Sequence, residues 1–158
     1  MKIVGHRVVG GVDSEINEYP WMALLRLKSQ ANQDFFCGGT LVSSKWVITA
    51  AHCIFSSVST SRYQKSWLKW NLIKFLLVGT LEVRLGEHKR SVTSESTITK
   101  DYNVDYILKH PKYDNPRQNS NDIALLRLAE EADISVHTPA CLPTLNQDFT
   151  GQNSLLTG

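Results

Sequence analysis

Two side chains in this sequence could move protons. His52 stands in Thr49-Ala50-Ala51-His52-Cys53, and Asp122 in Asn121-Asp122-Ile123-Ala124-Leu125-Leu126. A neutral imidazole accepts a proton near pH 7 because its unperturbed pKa is about 6.5. A carboxylate that takes the other ring N–H fixes the tautomer and stabilises the imidazolium that forms. A pair of this kind can activate a hydroxyl nucleophile, which is weak until a base removes its proton. Each residue also has a plainer reading. A lone histidine is often a satisfied core or turn residue, and an aspartate after Asn119-Ser120-Asn121 is often a turn or capping residue. The two lie far apart in the chain, so only the fold can join them.

The elements that must position them read as strands. Trp21–Lys28 is a short, mostly apolar run after a proline, and Phe36–Ser43 and Trp46–Thr49 flank a polar Ser44-Lys45 turn. Leu81–Leu85 alternates apolar and polar residues, Thr97–Leu108 is rich in β-branched and aromatic residues, and Ile123–Leu128 is a further apolar run. About six short strands with turn signals between them predict an all-β fold, an antiparallel barrel or sandwich. Gly10-Gly11 and Gly38-Gly39 mark places that need positive φ or a close backbone approach. Residues 109–121, with two prolines and several asparagines, read as a loop, as does Thr138–Gly158. There is no internal repeat and no heptad pattern.

A third segment, Arg7-Val8-Val9-Gly10-Gly11, precedes Tyr19-Pro20-Trp21. With it, the chain resembles the trypsin/chymotrypsin family of serine proteases, because three separate motifs occur in that family's order. The resemblance covers nearly all of residues 7–158 apart from an insert. It implies an antiparallel Greek-key barrel of six strands, the first of the family's two barrels. It implies that His52 is the general base and Asp122 its orienting carboxylate, in the chain order that places the serine last. It further implies a secreted endopeptidase acting on proteins and peptides through an acyl-enzyme, with no cofactor and no metal.

The three cysteines are Cys37, Cys53 and Cys141. In a secreted protein an odd count suggests one internal bridge and one cysteine that pairs elsewhere; in the cytosol three free thiols would be unremarkable. The resemblance implies a Cys37–Cys53 bridge closing the loop that carries the histidine, the alternative being two buried thiols. A ring of that size is worth about 3 kcal/mol in the chain-entropy account. For Cys141, in Pro139-Ala140-Cys141-Leu142-Pro143, it implies an interchain disulfide to a light chain or pro-domain, the alternative being a free thiol. Arg7–Val8 matches the family's activation site. Residues 1–7 would then end a pro-segment, and residues 8–158 would be the peptidase domain, represented by its N-terminal barrel only.

The family's Gly-Asp-Ser-Gly-Gly nucleophile segment does not occur in the chain. The expectation is an incomplete chain that alone has no peptidase activity. The rival reading is a non-catalytic secreted homologue that serves as a binding or regulatory module.

The remaining features constrain rather than assign. In 158 residues, 42% are hydrophobic and 20% charged, enough for one domain with a real core. A formal charge of +2 gives no reason to expect nucleic acid or an acidic membrane as partner. No segment has the roughly 18 apolar residues of a membrane span. Residues 56–80 form an insert relative to the family pattern, with four basic residues and an apolar end. It reads as an amphipathic surface helix touching a membrane or partner, as a loop beside the cleft, or as residues absent from the mature protein, such as a translated intron. After Gly86-Glu87-His88 come Lys89 and Arg90, cations that disfavour calcium there. The five histidines show no metal-ligand spacing.

Overall fold

The computed structural model describes residues 13–28, 35–55, 78–88, 98–155 and 157. Arg7, Val8, Gly10 and Gly11 lie outside these, as does the insert except for Val78–Thr80, a turn leading into the next strand.

Period-two patterning decides the architecture. In chain order the elements are β1 (Met22–Leu27), β2 (Phe35–Ser43), β3 (Trp46–Thr49), α1 (Ala51–Phe55), β4 (Leu81–Leu85), β5 (Lys100–Lys109) and β6 (Ala124–Leu128). β4 and β6 alternate buried and partly exposed residues without a break, as strands with one face in a core must. The six strands close into an antiparallel barrel in the order β1-β2-β3-β6-β5-β4, with β4 paired to both β5 and β1. Closure removes the unpaired edges that would otherwise template association.

Every strand contributes to the interior, where Leu25, Leu41, Val47, Val83, Tyr102, Leu126 and Leu128 are buried. β5 keeps its alternation only as far as Val104. The register with β6 shifts between Val104 and Tyr106, so Ile107 turns inward instead of Tyr106. This is the behaviour of a β-bulge, which adds one residue and resets the faces.

Of the Gly38-Gly39 pair, only Gly39 has a steric reason to be glycine. A Cβ there would lie 2.9 Å from the Ile48 carbonyl oxygen and 2.9 Å from Val47 Cγ1. Gly38 meets only the Ala23 oxygen at an ordinary 3.7 Å, and neither residue is among the glycines of positive φ. The requirement is a close approach of β2 to β3.

On the outside of β1, β4 and β5 four charges interlock. Arg26 donates from Nε to Glu82 at 2.9 Å and from Nη2 to Asp101 at 2.6 Å. Arg84 binds Asp101 in a fork, Nε to Oδ1 at 2.7 Å and Nη2 to Oδ2 at 2.9 Å. Desolvation pushes the Asp101 carboxyl up, but the Arg84 hydrogen bonds and the charges of Arg84 and Arg26 hold it below the usual carboxylate range. Arg84 also takes up Glu87 at 3.1 Å, so the acid that might have served a calcium ion already faces a cation.

His137 is the unexpected core residue. It is 2% exposed and stands edge-on to Tyr102, and among the described residues neither its Nδ1 nor the Tyr102 hydroxyl has a hydrogen-bond partner. Desolvation lowers its pKa, Asp133 opposes the shift and Lys100 adds to it. Because the folded value lies below the unfolded one, protonation favours unfolding. Stability therefore declines as pH falls below about 6.5, where the unfolded chain binds the extra proton. Urea midpoints measured from pH 7 to pH 5 should fall for the parent chain and fall less for His137→Leu. Gly39→Ala should lower the midpoint by about 1–3 kcal/mol of stability with the slope unchanged.

Candidate active site

The register of β3 with β6 builds this site. The last rung pairs Thr49 with Ala124. The strands are antiparallel, so the residues that follow Thr49 and those that precede Ala124 emerge at the same end of the barrel. α1 starts two residues beyond Thr49 and carries His52 in its first turn. Asp122 sits two residues before β6. Residues 70 apart in sequence thus become neighbours.

They meet through two contacts. The His52 backbone N–H donates to Asp122 Oδ1 at 2.8 Å, and His52 Nδ1 lies 2.6 Å from Asp122 Oδ2. An ionised carboxylate only accepts, so Nδ1 carries a proton in this contact; in the neutral ring that tautomer leaves Nε2 as the acceptor. Desolvation raises the Asp122 pKa. Hydrogen bonds from the His52 ring and backbone, the His52 charge and the Ala51 backbone N–H outweigh it, leaving the carboxyl below its ordinary value. The His52 side chain is 47% exposed and Asp122 24%, so the ring has an open side. Chemically such an arrangement can serve as a general base. Among the described residues no hydroxyl is hydrogen-bonded to Nε2.

Two supports hold the pair. Cys37 on β2 and Cys53 on α1 form a disulfide with Cα atoms 6.0 Å apart, and Thr49 Oγ1 donates to the Gly38 carbonyl at 2.7 Å beside it. On the other flank, the loop before Asp122 is bonded to itself. Asn121 donates from its amide to the carbonyls of Lys112 at 2.9 Å and Asn115 at 3.0 Å. It does so at φ 54°, a conformation asparagine tolerates better than most residues. Asn121 is thus a positioning residue that the sequence reading passed over; its place in an asparagine-rich stretch directly before Asp122 was the available signal. A cleft of about 440 Å³ opens beside Asp122, lined in part by Met22, Gly39, Ile48 and Thr157.

Cys141 is exposed and unbonded. The preceding residue is fixed to the barrel, with the Ala140 N–H donating to the Leu41 carbonyl at 2.9 Å. Among the described residues one group of three potential metal donors converges, Cys37, His52 and Cys53; the disulfide withholds both sulfurs. No helix among the described residues is long and apolar enough to cross a membrane.

A family model described as Trypsin matches residues 8–158. The chain belongs to the trypsin family. Several arthropod proteins are among the curated relatives it is similar to. It is 38% identical over 149 residues to CLIP domain-containing serine protease HP8 of Bombyx mori, covering 89% of this chain and 36% of that protein. It is 36% identical to Melanization protease 1 of Drosophila melanogaster, with 98% of this chain and 39% of that protein covered. It is also 38% identical to the Inactive CLIP domain-containing serine protease A28 of Anopheles gambiae, with 92% and 34% covered. The chain therefore spans well under half the length of these trypsin-family relatives.

Asp122 links the site to stability. Its folded pKa is lowered, so its contribution is present above the ordinary aspartate value near 4 and is lost as pH falls through the folded value. Asp122→Asn should be less stable than the parent at pH 7, and its stability should vary less with pH below about 4. Chemical denaturation across that range checks both.

Proposed function

We propose that this chain supplies the base and the orienting carboxylate of a secreted, trypsin-like serine endopeptidase that cleaves protein substrates through an acyl-enzyme. The observation that carries the reading is the doubly bonded His52–Asp122 pair, with Nδ1 at 2.6 Å from Oδ2 and the ring half-exposed. In the mechanism, Nε2 takes the proton of an attacking serine hydroxyl while Asp122 holds the ring and stabilises the imidazolium; the same nitrogen then protonates the leaving amine. The serine is not among the 158 residues, which contain no Gly-Asp-Ser-Gly-Gly segment. A base without a nucleophile performs no acyl transfer, so this polypeptide alone is inactive.

Activation by cleavage after Arg7 fits the family match, which begins at Val8. An interchain bridge from Cys141 to a pro-domain fits an exposed, unbonded sulfur on an anchored backbone. Secretion fits the Cys37–Cys53 disulfide, since such bonds persist in oxidising compartments. Relatives named for melanisation and for CLIP domains support membership of a regulated cascade.

The second reading, a non-catalytic homologue acting as a binding module, is favoured by one observation: a relative named as inactive is 38% identical to the chain, the same figure as for the HP8 relative. Extending the transcript decides between them. A serine within the glycine-rich motif supports the enzyme; another residue there supports the homologue. In the extended protein carrying that serine, Asp122→Asn should reduce kcat on Arg- or Lys-containing peptides by about 10⁴. The 158-residue chain should show no turnover above buffer; turnover abolished by His52→Ala would overturn the two-part assignment.

A further inference from the structure

Between its two anchors to the barrel, the segment that follows β6 is held by one side chain. The Ala132 N–H donates to the Ser44 carbonyl at 2.7 Å, and the Ala140 N–H to the Leu41 carbonyl at 2.9 Å. Among the described residues, the backbone hydrogen bonds donated by residues 133–139 stay inside the segment, running from Val136 and His137 to the Asp133 carbonyl at 3.1 and 2.8 Å. Asp133, Ile134, Ser135 and Thr138 are exposed, Val136 and Pro139 are half-buried, and within this stretch His137 alone is buried. We propose that the segment is an acid-opened latch: proton uptake by His137 drives its ring out of the barrel and releases residues 133–139 between anchors that stay fastened.

The seat of the ring suits only its neutral form. The imidazole stands edge-on to Tyr102 with ring centroids 6.2 Å apart, and it lies so close to Gly86 that a Cβ there would be 3.0 Å from its Cε1. An imidazolium donates from both ring nitrogens. With Nδ1 unpartnered among the described residues, a proton taken up in place leaves a buried charge with an unpaired donor, which is strongly unfavourable. The charged groups around the ring do not relieve it. From its own segment comes Asp133, whose Oδ1 already accepts the Ser135 N–H at 3.0 Å and the Ser135 hydroxyl at 2.6 Å. From β5 comes Lys100, a like charge, with its ammonium 3.3 Å from Glu130. On the Gly86 side the next residue, Glu87, is taken by Arg84 at 3.1 Å. Burial outweighs the attraction of Asp133, Lys100 adds to it, and the ring binds its proton less readily than a free imidazole.

Opening removes these obstacles and breaks little. In water the imidazolium is solvated, and Asp133 lies four residues before it on the same free segment. One side chain leaves the interior while the six-strand ladder stays whole, as in a local rather than a global opening. The departing ring also uncovers the wall of a cavity of about 260 Å³ that it shares with Thr99, Lys100 and Tyr102. The sign follows from where the proton binds. A ring free in water titrates near about 6.5 and the seated ring below that value, so the opening equilibrium is flat above about pH 7 and rises about tenfold per unit beneath about 6.5. The latch is independent of the protease reading, since it needs neither the His52 ring nor a nucleophile.

The test uses the full 158-residue chain. Amide hydrogen exchange, corrected for intrinsic rates, is followed at about pH 7.5 and about pH 5.5 in increasing urea below the unfolding transition. The Val136 and His137 amides should exchange through an opening that urea does not promote, because it bares little surface, and that opening should rise about tenfold on acidification. The amides of β3 and β6 should exchange through an opening that urea strongly promotes. His137→Leu or, should it not fold, His137→Phe should make the urea-independent opening equal at the two pH values. Val136 and His137 amides that share the urea dependence of β3 and β6 overturn the proposal, because the ring then leaves only with the whole barrel. An opening unchanged by acid overturns it too, as does an acid response that survives in the folded variant. Full exchange of these amides at the higher pH overturns it equally, since the segment would then never be closed.

Discussion

The pairing of β3 with β6 is the constraint from which the site follows. Its last rung joins Thr49 to Ala124, and His52 and Asp122 lie within three residues of it. A slip of one residue would turn each side chain to the other face of its strand, taking Val47 and Leu126 out of the core where both are now buried. Core packing thus fixes the register, and the register fixes the distance between imidazole and carboxylate. The chemistry at the barrel's end is specified by hydrophobic residues that never touch it.

Local devices then refine what the register delivers. Asp122 loses hydration at the barrel rim and recovers more than that loss from donors on α1. The outer charge network shows the same balance at Asp101, where desolvation is outweighed by two arginines. In both places the donor and the acceptor come from elements distant in sequence. The carboxylates are therefore low in pKa only in the assembled barrel, which ties acid sensitivity to tertiary structure rather than to composition.

Much of the fold was legible because strand periodicity is local. Trp46–Thr49 and Leu81–Leu85 were read with the bounds the structure gives. Errors fell where a side chain or a backbone N–H found a competing partner. Thr99 was expected within the fifth strand, but its hydroxyl turns to the Gly86 carbonyl at 3.0 Å and the strand begins at Lys100. Ile123 was expected in the last strand. It instead precedes β6, with its N–H on the Asn121 carbonyl. The short helix α1 was not anticipated, since five residues carry too little periodicity to register. His52 and Asp122 were legible as motif residues, and the structure brings them together. Asn121, His137 and the Arg26–Glu82–Asp101–Arg84 network were not, because each matters only through partners that the sequence does not place nearby.

Of the two contacts Asp122 makes with residue 52, one reaches the main chain rather than the ring. That bond needs no imidazole, only a backbone N–H, so any residue but proline at position 52 keeps the donor available to the carboxylate. Architecture and reactivity are therefore separable by a single codon. A chain of this fold that loses the imidazole keeps one of the two bonds that join α1 to the residues before β6.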